Sequence, residues 1–167
     1  METCDTTEQD SPEPPEPSYQ VLLANEQATL SIDEAQLIAA VQSVLAESSF
    51  KSAYVSVAVV DDQTIHDINR QYLQHDYPTD VLSFVLEDDG KQLQGELVVS
   101  ADTAARNAVD YGWSAAEELL LYLVHGTLHL VGFRDKQPVD IAAMRQAEVA
   151  HMKRLGIAMP DAEDSPR

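Results

Sequence analysis

Cysteine is almost absent from this chain. Cys4 is the one thiol, so no intramolecular disulfide can staple the fold. Basic residues are scarce too: ten Lys and Arg stand against 29 Asp and Glu, a formal net charge of −19. That balance argues against loose, charge-driven nucleic-acid binding by the chain as a whole, while leaving room for a local basic patch. No apolar run reaches the ~20 residues that a bilayer-spanning helix needs. The longest, 119–131, is interrupted by two histidines. The N-terminus lacks basic residues followed by an apolar stretch, so no secretory signal is expected and a cytoplasmic location follows by default.

What is present divides unevenly along the chain. Residues 1–17 hold six acidic groups, no basic ones and four of the eight prolines. Such a segment buries too little apolar surface to offset chain entropy, and it is expected to be a disordered acidic tail. Residues 161–167 read the same way. One folded domain is expected over 18–160, with a net charge still at −11.

Within that domain the patterning predicts a β-α-β-α-β-β-α-α-α order. Tyr19 to Leu23 and the valine-rich run Ala53 to Val60 predict strands. Between them lies a helix capped by Ser31 or Asp33, with Leu37, Ile38, Val41, Val44 and Leu45 at helical spacing. Asp61 caps a second helix, with Ile65, Ile68, Tyr72 and Leu73 on one face, ending near Asp76-Tyr77-Pro78. Val81 to Leu86 and Leu97 to Val99 predict an antiparallel hairpin turning at Asp89-Gly90. Ser100 caps a helix running to Tyr111 and closed by Gly112. Ser114-Ala-Ala-Glu117 is a capping-box sequence that opens a long helix, apolar nearly all round and therefore central. A last helix starts at Pro138 or Asp140, with Ile141, Met144 and Leu155 turned inward. The fold class is α+β: a small mixed sheet of about four strands packed by helices, with a central buried helix.

That central helix carries the most informative stretch, His125-Gly-Thr-Leu-His129-Leu-Val-Gly132-Phe-Arg-Asp135. Positions i and i+4 share a helix face, so both imidazoles can reach one ion. Gly132 can take the positive φ that ends the helix, and Asp135 returns as a third ligand. Two nitrogens and one oxygen suit a single zinc ion with a place left for water, the layout of a catalytic site, and the carboxylate also admits a harder metal. A zinc protease would carry glutamate after the first histidine as general base; Gly126 stands there instead.

The stretch His125-Gly-x-Leu-His129-Leu-x-Gly132-Phe resembles the signature of the YbeY family of bacterial rRNA-maturation endoribonucleases. Asn69-x-x-Tyr72-x-x-x-Asp76-x-Pro78-Thr79-Asp80-Val81-Leu82-Ser83-Phe84 and Gly95-Glu96-Leu-Val-Val-Ser100 agree with it. The resemblance covers about Ser52 to Gly156. It implies a single-zinc hydrolase that cuts single-stranded RNA, matures small-subunit ribosomal RNA and serves ribosome quality control. It also implies the small ribosomal subunit or its assembly factors as partners, with no membrane. His125 and His129 take the first two ligand positions.

Two departures stand out. The family's third ligand is histidine. The ungapped alignment puts Asp135 there, and a one-residue insertion would put Lys136 there, which cannot bind zinc while charged; the ungapped alignment is preferred. Leu73 occupies the place of a family arginine, whose charge Arg70, one helical turn away, could supply. Arg70 and Asp80 are the candidate catalytic residues, and Arg70 and Arg134 the candidate RNA contacts. Arg106, Arg134 and Lys136 are the basic residues expected nearest the metal; Thr79 stands beside Asp80 at the mouth of a strand, where function often sits, and Ser83 and Phe84 either face the site or pack in the core. His66, His75 and His151 are expected at the surface. The alternative functions are a ribosome-assembly or ribosome-binding factor with a structural metal, and a zinc metalloprotease.

Overall fold

The computed structural model describes residues 11–77 and 79–159. Residues 11–17 are exposed and irregular. The remainder of the expected N-terminal tail, with Cys4, lies outside the described residues, as does the expected tail at 161–167.

Four strands and five helices follow in the expected order. They are β1 (Ser18–Asn25), α1 (Glu34–Glu47), β2 (Ser52–Val60), α2 (Asp62–Leu73), β3 (Val81–Asp88), β4 (Gln92–Ser100), α3 (Ala101–Tyr111), α4 (Ala115–Leu130) and α5 (Pro138–Arg154). Of the two candidate caps for α1, Asp33 is the one used, its side chain accepting from Gln36 N–H. The sheet order is β1-β2-β4-β3, with β1, β2 and β4 parallel and β3 antiparallel at the edge. Parallel neighbours require a crossover, and α1 supplies it between β1 and β2. The β3–β4 hairpin turns where Asp89 Oδ1 accepts from Lys91 N–H at 2.9 Å and Gln92 N–H at 2.7 Å.

Strand β4 starts at Gln92 rather than at Leu97. Its outward positions, Gln92, Gln94 and Glu96, are polar and exposed, which hid the alternation, while Leu93 and Gly95 point into the core. Register aligns Leu23, Val57, Leu97 and Ser83 across the sheet, and Val21, Val55 and Gly95 in the next row. This face is covered by α1 and α4 and forms the main core. The opposite face holds a smaller cluster of Val60, Ile65, Leu82 and Val98 beneath α2. Only part of the expected α2 face is inward: Ile65 is buried, but Tyr72 is 65% and Leu73 43% exposed. At the far end of that helix Tyr72 meets the edge strand, its ring edge-on to Phe84 with centroids 6.2 Å apart.

Helix α4 is central, as expected. Leu119 to Val124 are all buried, and full burial of each leucine contributes ~1.5–3 kcal/mol. Its capping box is formed, Ser114 Oγ accepting from Glu117 N–H and Glu117 accepting from Ser114 N–H, both at 3.1 Å. Gly126 lets the helix lie flat on the sheet. A Cβ there would come within 2.9 Å of Val81 Cγ2 and 3.0 Å of Leu97 Cδ2, and Ser83 Oγ donates to Gly126 O at 3.0 Å. Gly132, at φ +107°, turns the chain out of the helix.

Candidate metal centre and adjoining cavity

The end of α4 and the loop after Gly132 bring His125, His129 and Asp135 together. His129 Nε2 is 3.0 Å from His125 Nε2 and 3.2 Å from Asp135 Oδ2. His125 Nε2 is 3.5 Å from the same oxygen. A tetrahedral ion with bonds of about 2.0–2.1 Å separates its ligand atoms by about 3.3 Å, so this triangle has the edge lengths of one coordination face. The outer nitrogens fix the tautomers. His125 Nδ1 is 2.5 Å from Glu148 Oε1, and His129 Nδ1 is 3.0 Å from Phe133 O. With both Nδ1–H groups donating outward, both Nε2 lone pairs point inward, as in carboxylate–histidine–metal arrangements. The residues present therefore fit a metal ion.

Electrostatics are consistent with that geometry. Burial pushes the His125 imidazole down, yet the Glu148 hydrogen bond and the charges of Glu148, Asp80 and Asp135 outweigh it and hold its pKa above the ordinary value. The neighbouring Tyr122 phenol is pushed far up by burial and by the Glu118 carboxylate, and Asn107 Nδ2 donates to it at 2.8 Å. Tyr122 thus stays protonated and is a fixture of the wall rather than a base.

Beside the triad opens a cavity of about 380 Å³ whose lining includes His125, Asp135 and Glu148. Asp80 at the mouth of β3 lines it, as do Asn107 and Tyr111 from α3 and Met144 and Arg145 from α5. Asp80 also does local work, Oδ1 accepting from Val81 N–H at 2.8 Å. The expected inward Ile141 instead stands at this rim, 47% exposed, because only Met144 of that turn reaches the core.

A family model described as Endoribonuclease YbeY matches residues 22–156. The chain belongs to the YbeY endoribonuclease family. A relative from Rhodopirellula baltica, named endoribonuclease YbeY, is 54% identical over 112 residues, 66% of this chain and 58% of that protein. Another of the same name, from Desulfitobacterium hafniense, is 38% identical over 143 residues, 80% of this chain and 90% of that protein. A solution structure from Thermotoga maritima has a TM-score of 0.52 at 23% identity, covering 81% of this chain and 91% of that one, a likeness of fold.

Measured against the YbeY resemblance, Asp135 sits with the two histidines, as the ungapped alignment expects, and Lys136 is exposed. Gly126 faces β3 and β4, so a side chain at that position would meet the sheet and could not serve as a protease-type base. Several basic candidates fall elsewhere. Arg70 is exposed and 3.3 Å from Asp67. Arg106, expected near the metal, is tied to Asp62 and Thr103 at the junction of α2 and α3. Asp62 is partly buried, which alone would raise its pKa, yet hydrogen bonds from Ser100, Arg106 and Thr103 hold it below the usual carboxylate range. Arg134 is exposed on a separate shallow depression with Gly132 and Phe133.

His66 pairs with Asp76 at 2.8 Å, and His75 stacks on Tyr77. His151 is not at the surface: it is 6% exposed, with Nδ1 3.4 Å from Ser43 Oγ. The α5 helix has apolar residues on all sides, so spacing could not tell which side docks. Glu148 and Arg145 were missed for the same reason. Their only sequence signal was a charged i, i+3 pair on a helix, which is usually solvent-facing.

Proposed function

We propose that this chain is a single-zinc endoribonuclease that cleaves single-stranded RNA in the maturation of small-subunit ribosomal RNA and in ribosome quality control, acting in the cytoplasm. The observation that carries the reading is the His125–His129–Asp135 triangle, tautomer-fixed and opening on a cavity, in a chain of the YbeY family. Two imidazoles and a carboxylate favour zinc or a similar transition ion over magnesium or calcium, which prefer all-oxygen shells. When bound, the ion supplies Lewis acidity to a phosphoryl oxygen and acidifies water.

The chain's own groups do the rest. Glu148 holds His125 in its binding tautomer. Asp80, on the cavity wall, is assigned to accept the proton of the attacking hydroxyl, whether of water or of the RNA's 2′ position. Arg70 and Arg134, both exposed, are assigned to the RNA backbone away from the scissile bond. The net charge of −19 means weak binding to isolated RNA, with the small ribosomal subunit or an assembly factor supplying most of the docking.

The test is cleavage of a single-stranded RNA oligomer by protein purified free of other nucleases. Cleavage abolished by chelator and restored by zinc is expected; cleavage indifferent to chelation refutes the metal-dependent reading. Asp80→Asn should lower kcat by about 10²-fold or more, the ordinary worth of a general base. A 2′,3′-cyclic phosphate end with a 5′-hydroxyl partner identifies the 2′-hydroxyl as nucleophile, and a 5′-phosphate with a 3′-hydroxyl partner identifies water.

A further inference from the structure

We propose that Arg145 is the residue that grips the scissile phosphodiester, its guanidinium donating to non-bridging oxygens beside the metal triad. The proposal rests on the endoribonuclease reading and names a substrate contact for that same site. Three observations carry it.

First, Arg145 is the one lysine or arginine among the described residues that lines the cavity shared with His125 and Asp135. Other arginines are engaged elsewhere: Arg106 with Asp62, Arg70 with Asp67, Arg154 with Glu47.

Second, the guanidinium has donors to spare on the cavity side. Its side chain is 20% exposed, and its polar contact among the described residues is with Glu148 Oε2 at 3.5 Å, the outer limit of a hydrogen bond. Guanidinium has five N–H donors in a rigid fork. One long contact to Glu148 leaves most of that fork available to an anion entering the cavity. Glu148 does not occupy the rest of the fork, because its other oxygen is held by His125 at 2.5 Å.

Third, the charge of the cavity depends on this residue. Asp80, Asp135 and Glu148 line it with three negative charges. A divalent ion leaves the wall anionic unless Arg145 supplies the last positive charge. Without Arg145, an incoming phosphodiester meets net repulsion; with it, the wall is neutral and carries an oriented fork that matches two phosphate oxygens. Glu148 and Arg145 sit one turn apart on α5, so one helical turn both orients a ligand and presents the anion contact.

The experiment compares wild type, Arg145→Lys and Arg145→Ala, each loaded with zinc and checked for zinc content and melting temperature. One arm measures kcat and KM on a single-stranded RNA oligomer; the other measures binding of its 2′-O-methyl analogue, whose integrity is checked after each titration. For Arg145→Ala, kcat/KM should fall about 100-fold at unchanged zinc content, the scale of losing one preorganised donor to a reacting oxygen. Arg145→Lys should recover part of it. Added guanidinium ion at millimolar concentration should partly rescue Arg145→Ala but not wild type. The salt slope of analogue binding should drop by about 1. Wild-type kcat/KM in Arg145→Ala, or a loss that follows zinc content and is not rescued, overturns the proposal. If wild type binds the analogue but cleaves nothing, the endoribonuclease reading fails. Arg145 is then judged by the binding arm alone: equal analogue affinity and salt slope in wild type and Arg145→Ala overturns it.

Discussion

Removing Glu148 tests whether the buried carboxylate behind His125 belongs to the metal centre. Glu148 is 7% exposed and its Oε1 lies 2.5 Å from His125 Nδ1, so it both fixes the ring and makes Nε2 a stronger donor. A carboxylate in this position typically changes metal affinity 10–100-fold, which is about 1.4–2.7 kcal/mol. Glu148→Ala opens its space to the adjoining cavity, where water can reach Nδ1–H and recover part of the loss. The expected weakening is therefore about 30-fold, near the middle of that range. Glu148→Gln keeps an acceptor without the charge and should fall between the two. The assay is zinc competition against a chromophoric chelator at pH 8, with the apoprotein's circular dichroism and melting temperature as controls for folding. An unchanged zinc Kd in a folded Glu148→Ala would refute the reasoning. So would a Glu148→Gln variant weaker than Glu148→Ala.

Three other outcomes follow from the same geometry. Asp135→Ala should lose zinc at stoichiometric loading while Asp135→His keeps it, and equal zinc content in wild type and Asp135→Ala would remove Asp135 from the ligand set. Gly126→Ala gains ~1 kcal/mol of helix propensity but forces a methyl to within 2.9 Å of Val81 Cγ2, and overpacking costs ~1–3 kcal/mol. The net is a loss of about 1 kcal/mol, a melting temperature lower by ~2–4 °C; a higher melting temperature would contradict the close approach of α4 to the sheet. His151 has its pKa held below the ordinary histidine value by burial and by the Arg154 charge, with Glu47 opposing. Its folded form favours the neutral ring, so its stabilisation is complete above the unfolded pKa of about 6.5 and is lost as pH falls. Urea midpoints at pH 7.5 and 5.5 should show wild type's advantage over His151→Gln shrinking on acidification; growth of that advantage would refute the assignment.

The parts of the molecule legible in the sequence are those whose causes are local. Ser114 and Glu117 lie three residues apart and cap their own helix, Gly132 stops that helix within one turn, and His125 and His129 share a face by helical period alone. The hairpin at Asp89-Gly90 belongs with them. What stayed hidden depends on a distant partner. Gln92, Gln94 and Glu96 join a strand only because β2 and β3 flank them. His151 is buried because α5 docks near Ser43 of α1. Tyr72 and Leu73 carry the apolar period of α2 past the edge of what the sheet can cover. Glu148 and Arg145 looked like an ordinary surface pair, and the side of α5 that turns inward was not written in a helix with apolar residues all round. Gly126 was legible only as a missing base, whereas its structural reason is the contact of α4 with β3 and β4.

The three metal-competent side chains lie within 11 consecutive residues, 125–135, while the cavity beside them draws on residues as far apart as Asp80 and Glu148. Closing so short a segment costs little chain entropy, whereas assembling the cavity waits on long-range contacts. The two halves of the site therefore make different demands on folding. During synthesis, all three metal-competent side chains have been added to the chain before the first residue of α5. Docking of α5, which brings in Glu148 and Arg145, is then the step that completes the site. A folding defect confined to α5 would keep the three metal-competent side chains on one short segment but remove Glu148 and the cavity wall, so whatever metal uptake survived would overstate the active fraction.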